Sequence, residues 1–210
     1  MVRVHSPQQY FGKKIRNLIT VIGNGESRKN INIDKINGIK IGCNAIYLHE
    51  KVDYVCAVDK FWRDKVSKEC SIPLISRYHN NAFQTTLEMF KEGKWLNTDV
   101  LYRGYCSGIT ALDFISTKGN EIYLIGFDFG YTGSTVNHIY KGTPNHPPAD
   151  YPAQHDAIFL TQCLETIKRY PKNKYYWVSD SDFLIKMKPR NLEKISIQEY
   201  IGACYEKVFR

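Results

Sequence analysis

The stretch from Gly104 to Phe129 constrains this chain most, because it reads in order as helix start, helix, buried strand and polar strand exit. Ser107 stands where a side chain can cap the free N–H groups of a first helical turn, and Gly108 lets another group approach that backbone closely. Anions and carbonyl oxygens bind well at such ends. Ile109, Leu112 and Ile115, with Ala111 and Phe114 between them, lay an apolar stripe along 107–117, and Lys118-Gly119-Asn120 stops the helix. The run Ile122-Tyr-Leu-Ile125 lacks clean alternation, as expected of a strand covered on both faces of a parallel sheet. Asp128 then lies just past that strand's carboxyl end.

A similar exit recurs upstream. Asn17–Ile22 reads as a first strand, followed at once by the glycine turn Gly23-Asn24-Gly25-Glu26-Ser27, a phosphate-loop position. Arg28 occupies the place of a dinucleotide fingerprint's third glycine, and Asn44 stands where the fingerprint wants an acid, which disfavours NAD. Gly38–Cys43 before Asn44, Val52–Val58 before Asp59, and Ile72–Ser76 read as further strands. A helix is predicted over Phe83–Glu92, strand-like residues over Asp99–Tyr102, a helix over Gln154–Arg169, a core strand at Tyr175–Val178 and a terminal helix over 196–208. This alternation predicts an α/β chain: one Rossmann-like domain over 1–210 with a mostly parallel, doubly wound sheet. Asn24, Asn44, Asp59 and Asp128 all fall at strand ends, where ligands bind in open α/β sheets.

From Gly130 to Pro152 the chain has no periodicity but many glycines and prolines, with Tyr131, Tyr140 and Tyr151 spaced through it. A long structureless loop in a compact domain reads as a lid or binding loop.

The chain has 210 residues, 43% of them apolar, enough for one sizeable core. No apolar run is long enough to cross a bilayer, and the first residues lack a secretory apolar core, so a cytoplasmic location is expected. The six cysteines show no Cys-x-x-Cys spacing and read as reduced structural thiols. A formal charge of +8 fits an acidic partner such as a nucleotide, nucleic acid, anionic glycan or membrane surface.

Four segments together resemble the bacterial CMP-sialic-acid-dependent sialyltransferases of lipooligosaccharide synthesis and related single-domain bacterial and phage glycosyltransferases. They are Ile22-Gly-Asn-Gly-Glu-Ser27, Gly42-Cys-Asn44, Ser107-Gly108 spaced before Ile122–Phe129, and His155 opening the helix after the long loop. The resemblance implies a nucleotide-sugar donor, CMP- or UDP-linked, held by Gly23, Asn24, Gly25, Ser27, Asn44, Ser107 and Gly108. It implies His155 as general base, neutral at a helix start and able to take the acceptor's proton. Tyrosines that steady the leaving phosphate in the family fall on Gly130 and Val136 here, leaving Tyr131 or Tyr140 to serve from shifted positions. The acceptor would be a glycan or a modified DNA base.

Asp128 either caps a turn or holds a divalent cation beside a diphosphate. A pterin diphosphokinase-type enzyme would use Asp59 and Asp128 to hold Mg²⁺ bridging ATP phosphates, and a nucleic-acid-binding protein is the other alternative. The triplet Asp128-Phe129-Gly130 lacks every companion motif of a protein kinase. His138, His146 and His155, with Asp150 and Asp156, match no compact metal site, so no structural zinc is expected, and Mg²⁺ is allowed but not required. Ser107→Ala is expected to weaken nucleotide binding with little effect on folding.

Overall fold

The computed structural model describes residues 18–77, 86–117, 121–153 and 157–205. Among them the chain forms β1 (Leu18–Ile22), β2 (Ile39–Cys43), β3 (Tyr54–Cys56), α1 (Lys60–Glu69), β4 (Leu74–Arg77), β5 (Thr86–Lys91) and β6 (Lys94–Leu101). It continues with α2 (Ser107–Ser116), β7 (Glu121–Ile125), α3 (Ala157–Arg169), β8 (Lys174–Val178), β9 (Leu192–Ile195) and α4 (Ile197–Cys204). The strands make one sheet in the order β6-β5-β4-β3-β2-β1-β7-β8-β9. All pairings are parallel except the two that β5 makes. The fold is α/β and compatible with a Rossmann-like fold.

Alternation along the strands explains two cores. Ile19 and Val21 of β1, Ile122 and Leu124 of β7, and Tyr175 and Trp177 of β8 pack in one apolar cluster with α2 and α3. Their neighbours Ile22, Tyr123, Ile125 and Val178 join the other, with Trp62 and Val66 of α1 and Tyr200 and Cys204 of α4. Thr20, the polar exception on β1, hydrogen-bonds the Tyr200 hydroxyl at 2.9 Å, so its burial leaves no unpaired group. α4 begins at a capping box: Ser196 Oγ accepts from the Glu199 N–H, and the Glu199 carboxylate accepts from the Ser196 N–H.

α2 is buried almost all round, more than its stripe requires, because α3 closes over it. Its polar residues are therefore paired internally. Asp113 accepts from Arg169 Nη1 at 2.8 Å and from the Tyr170 hydroxyl at 3.0 Å, and Arg103 Nε lies 3.2 Å from its other oxygen. This cluster ties α2 to α3 and sets the position of the helix start.

The predicted helix over Phe83–Glu92 is a strand where the residues are described. Thr86–Lys91 is β5, and residues 83–85 lie outside the described residues. Glu92 and Gly93 both have positive φ, 52° and 76°, so they make the two-residue turn of a β-hairpin that leads into β6. Leu87 and Met89, two apart, are fully buried against the sheet core. The other predicted elements appear where their residues are described, β6 beginning five residues before the expected Asp99, while residues 17, 154–156 and 206–208 of the predicted elements lie outside the described residues; α1 and β9 are additions. No described helix is long and apolar enough to cross a membrane.

Candidate functional site

Because β1, β2 and β7 are parallel neighbours, their carboxyl ends lie side by side, and α2, running the opposite way, starts at the same edge. A cavity of about 240 Å³ opens there. Gly23, Asn24 and Gly25 line it with Asn44, with Ser107 and Gly108, and with Asp128. Residues spread over a hundred positions thus face one space. The volume falls below the roughly 300–1,000 Å³ of pockets that take whole drug-sized ligands.

The glycine turn is held by the exit of β7. Gly23 N–H donates to Ile125 O at 2.8 Å and Gly25 N–H to Gly126 O at 3.0 Å. A Cβ on Gly23 would come 2.4 Å from Gly126 O, and one on Gly25 would come 2.5 Å from the Asp128 carboxyl carbon. These two glycines are therefore required by the protein's own packing. Asp128 accepts from the Ser27 N–H and from Asn137 Nδ2, each at 2.9 Å, and also from the Ser27 hydroxyl. It caps the 3₁₀ turn Glu26–Asn30, the turn-capping alternative for this residue. Ser27 is committed to that clamp and does not line the cavity. Arg28 lies buried beneath, donating to Gly23 O at 2.9 Å and to the Tyr140 hydroxyl at 2.6 Å, with Glu50 3.5 Å away. Its guanidinium props the turn from inside.

The opposite wall is different. Asn44 adopts a left-handed backbone, φ 52°, which asparagine tolerates better than most residues. Ser107 is the first residue of α2 and Cys106 is the N-cap, so Ser107 does not cap the helix as expected. Its hydroxyl accepts from the Val58 N–H at 3.2 Å and donates to Asn44 Oδ1 at 3.0 Å. It thereby joins the ends of β2, β3 and α2. This changes the expectation for Ser107→Ala: with one buried and one half-buried partner orphaned, the variant should lose roughly 1–3 kcal/mol of stability, read by chemical denaturation, as well as nucleotide affinity. A stability equal to wild type would contradict this pairing.

Two features of the cavity lining have no internal use among the described residues. Asn24 Oδ1 is buried and lacks a hydrogen-bond partner among the described residues. A Cβ on Gly108 would meet nothing nearer than Phe127 Cζ at 3.6 Å, an ordinary contact, so the fold itself does not demand glycine there. Cys106 also lines the space, but burial pushes its thiol up more than the Gly108 and Ile109 amides draw it down, which keeps it protonated and unreactive. All six cysteines are free thiols, four of them buried.

Other expected site residues lie elsewhere. Asp59, the residue before α1, is exposed and does not line the cavity, so the two carboxylates of the diphosphokinase alternative are not brought together. Tyr131 folds its hydroxyl back over Gly133, outside the cavity. Tyr140 is buried with its hydroxyl on Arg28. His155 lies outside the described residues. Among the described residues no group of three or more His, Cys, Asp or Glu is arranged to hold a metal ion.

Asn137 and His138 line the cavity and were not among the expected site residues. Asn137 accepts from the Glu26 N–H at 2.9 Å through Oδ1 while giving Nδ2 to Asp128. The long loop reaches the site here: Ile139 N–H donates to Asn24 O at 2.7 Å, and the chain doubles back with Gly142 N–H on Pro147 O at 2.8 Å. Only the asparagine–histidine pair amid small and aromatic residues marked this position in the sequence.

Comparisons with family models, curated proteins and solved structures find no match to this chain.

Proposed function

We propose that the protein is a nucleotide-sugar-dependent glycosyltransferase of the sialyltransferase-like kind, moving a sugar to a hydroxyl of a glycan or modified DNA base. The observation that carries this reading is the convergence of Gly23–Gly25, Asn44 and Ser107–Gly108 on one cavity at the carboxyl edge of the sheet. The strand order supports a doubly wound reading, since the chain runs from β1 outward through β2, β3 and β4 and later resumes at β7 on the other side of β1. The gap between β1 and β7 is then the switch point at which such sheets bind ligands.

In this reading the N-terminus of α2 faces the donor's phosphate, and Asn24, which lines the cavity, lies beside the ribose. His155 takes the acceptor's proton as the new glycosidic bond forms. The segment around 136–143 is bonded to the glycine turn and serves as a wall, so any lid movement belongs to the rest of the 130–152 loop. Mg²⁺ is not required by these residues, and CMP and UDP donors both remain open to the site.

Gly108→Ala tests the reading directly. Exchanging glycine for alanine within a helix stabilises by roughly 0.5–1 kcal/mol, and Gly108 has room for the methyl group. The expected variant is as stable as wild type or more so, yet binds nucleotide at least about tenfold more weakly, a loss of ~1.4 kcal/mol, by calorimetric titration. Undiminished nucleotide affinity would remove the helix start from the donor site.

A further inference from the structure

We propose that His138 is a catalytic residue that donates a hydrogen bond from Nε2 to the phosphate leaving with the nucleotide. This rests on the donor-site reading above.

Three observations carry it. First, His138 lines the cavity beside Gly25, Asn137 and Asp128, at the edge where β1 and β7 end. Second, its ring is fixed in direction and tautomer. Nδ1 accepts the Tyr140 N–H at 3.2 Å, and the rings of His146 and Tyr140 lie 5.1 and 5.8 Å away. A neutral imidazole carries one proton, so with Nδ1 accepting, that proton is on Nε2. Nε2 has no partner among the described residues. Third, the ring is neutral: burial, helped by His146 and Arg28 and opposed by Glu26, lowers its pKa to about 4. His138 is therefore a hydrogen-bond donor at neutral pH and not a base, which leaves proton removal to another group.

The two tyrosines that could have met a leaving phosphate are engaged elsewhere, Tyr131 on its own loop and Tyr140 on Arg28. His138 fills that vacancy from the same loop. As the acceptor oxygen bonds to the anomeric carbon, the carbon–oxygen bond to phosphate breaks and its electron pair passes to the phosphate oxygen. The acceptor's proton goes to the general base. The Nε2–H proton stays on His138 and gains in bond strength as charge develops on that oxygen, which favours the transition state over the bound donor.

The test compares binding of CMP, UDP, GDP and dTDP with binding of their nucleosides, by calorimetry, to wild type and to His138→Gln, His138→Asn and His138→Ala. The glutamine amide reaches the position of Nε2, whereas the asparagine amide reaches only that of Nδ1. Wild type should prefer at least one nucleotide to its nucleoside. His138→Ala and His138→Asn should cut that preference about 10–100-fold, the worth of a hydrogen bond to a charged group, with nucleoside affinity unchanged. His138→Gln should stay within about threefold of wild type. If the alanine variant does not fold, the glutamine–asparagine contrast decides. An unchanged preference in His138→Asn overturns the proposal while leaving the donor site standing. Failure of folded wild type to bind any of these nucleotides or nucleosides overturns the donor-site reading, and the proposal with it. Imidazole ¹⁵N shifts should show the Nε2–H tautomer of His138 at pH 7, and the Nδ1–H tautomer would overturn it.

Discussion

Gly25→Val is expected to unfold the site and much of its surroundings. Even the first carbon of the new side chain would lie 2.5–2.7 Å from the Asp128 carboxylate, which has no room to retreat while it is bonded to the Ser27 N–H and hydroxyl and to Asn137. Overpacking costs roughly 1–3 kcal/mol, and breaking the hydrogen bonds to a charged acceptor adds about 1.5–3 kcal/mol. The sum, about 2.5–6 kcal/mol, corresponds to a fall in Tm on the order of 10 °C for a chain of this size, with nucleotide binding lost. Gly25→Ala combined with Asp128→Ala should be less damaging than the two single losses added together, because removing the carboxylate makes space for the methyl group. Wild-type melting and nucleotide binding in Gly25→Val would show that the turn and the β7 exit do not interlock.

His155→Ala should lower turnover by roughly 10²–10⁴-fold while nucleotide-sugar affinity stays near wild type, since proton removal contributes only in the transition state. The assignment of His138 sharpens this expectation. With Nδ1 occupied by the Tyr140 amide and the proton on Nε2, that ring cannot take over as base. Single-turnover kinetics across a range of donor concentrations separates the two histidines: loss of His155 lowers the limiting rate alone, whereas loss of His138 also raises the donor concentration needed to reach it. Turnover within a few-fold of wild type in His155→Ala would take it out of the mechanism.

Much of the sheet was legible because its signals are local. Strand, polar exit and helix start lie adjacent at Ile22–Asn24, Cys43–Asn44 and Ser107–Gly108, so the common edge followed from topology rules without knowledge of any contact. β5 was not, because Thr86–Lys91 is a short apolar run in which helix and strand patterns overlap, and the deciding evidence is the turn at Glu92–Gly93. α1 carried usable marks in its Lys60–Asp64 and Lys65–Glu69 pairs, one helical turn apart, and in Trp62 and Val66 on its buried face. The site's inner wiring was illegible for another reason. That Ser107 serves Val58 and Asn44, that Asp128 serves Ser27, and that Arg28 serves Tyr140 are facts about residues far apart in the chain. Sequence spacing holds no information on such partners. His138 was weighed only as a metal ligand, because a lone histidine in an aperiodic loop looks the same whether it faces solvent or a cavity.

β1, inside the sheet, draws its two neighbours from widely separated parts of the chain: Ile22 pairs with Gly42 on one side and with Ile125 on the other. A ribosome adding about 5–20 residues per second needs roughly 5–20 s between releasing β1 and releasing β7. For that interval one edge of a strongly apolar strand stands open, with Gly23 and Arg28 lacking the groups that later hold them. The nascent half-sheet is therefore a natural client for chaperones, and a chain truncated before β7, at residue 120, would be aggregation-prone however well its first six strands had paired.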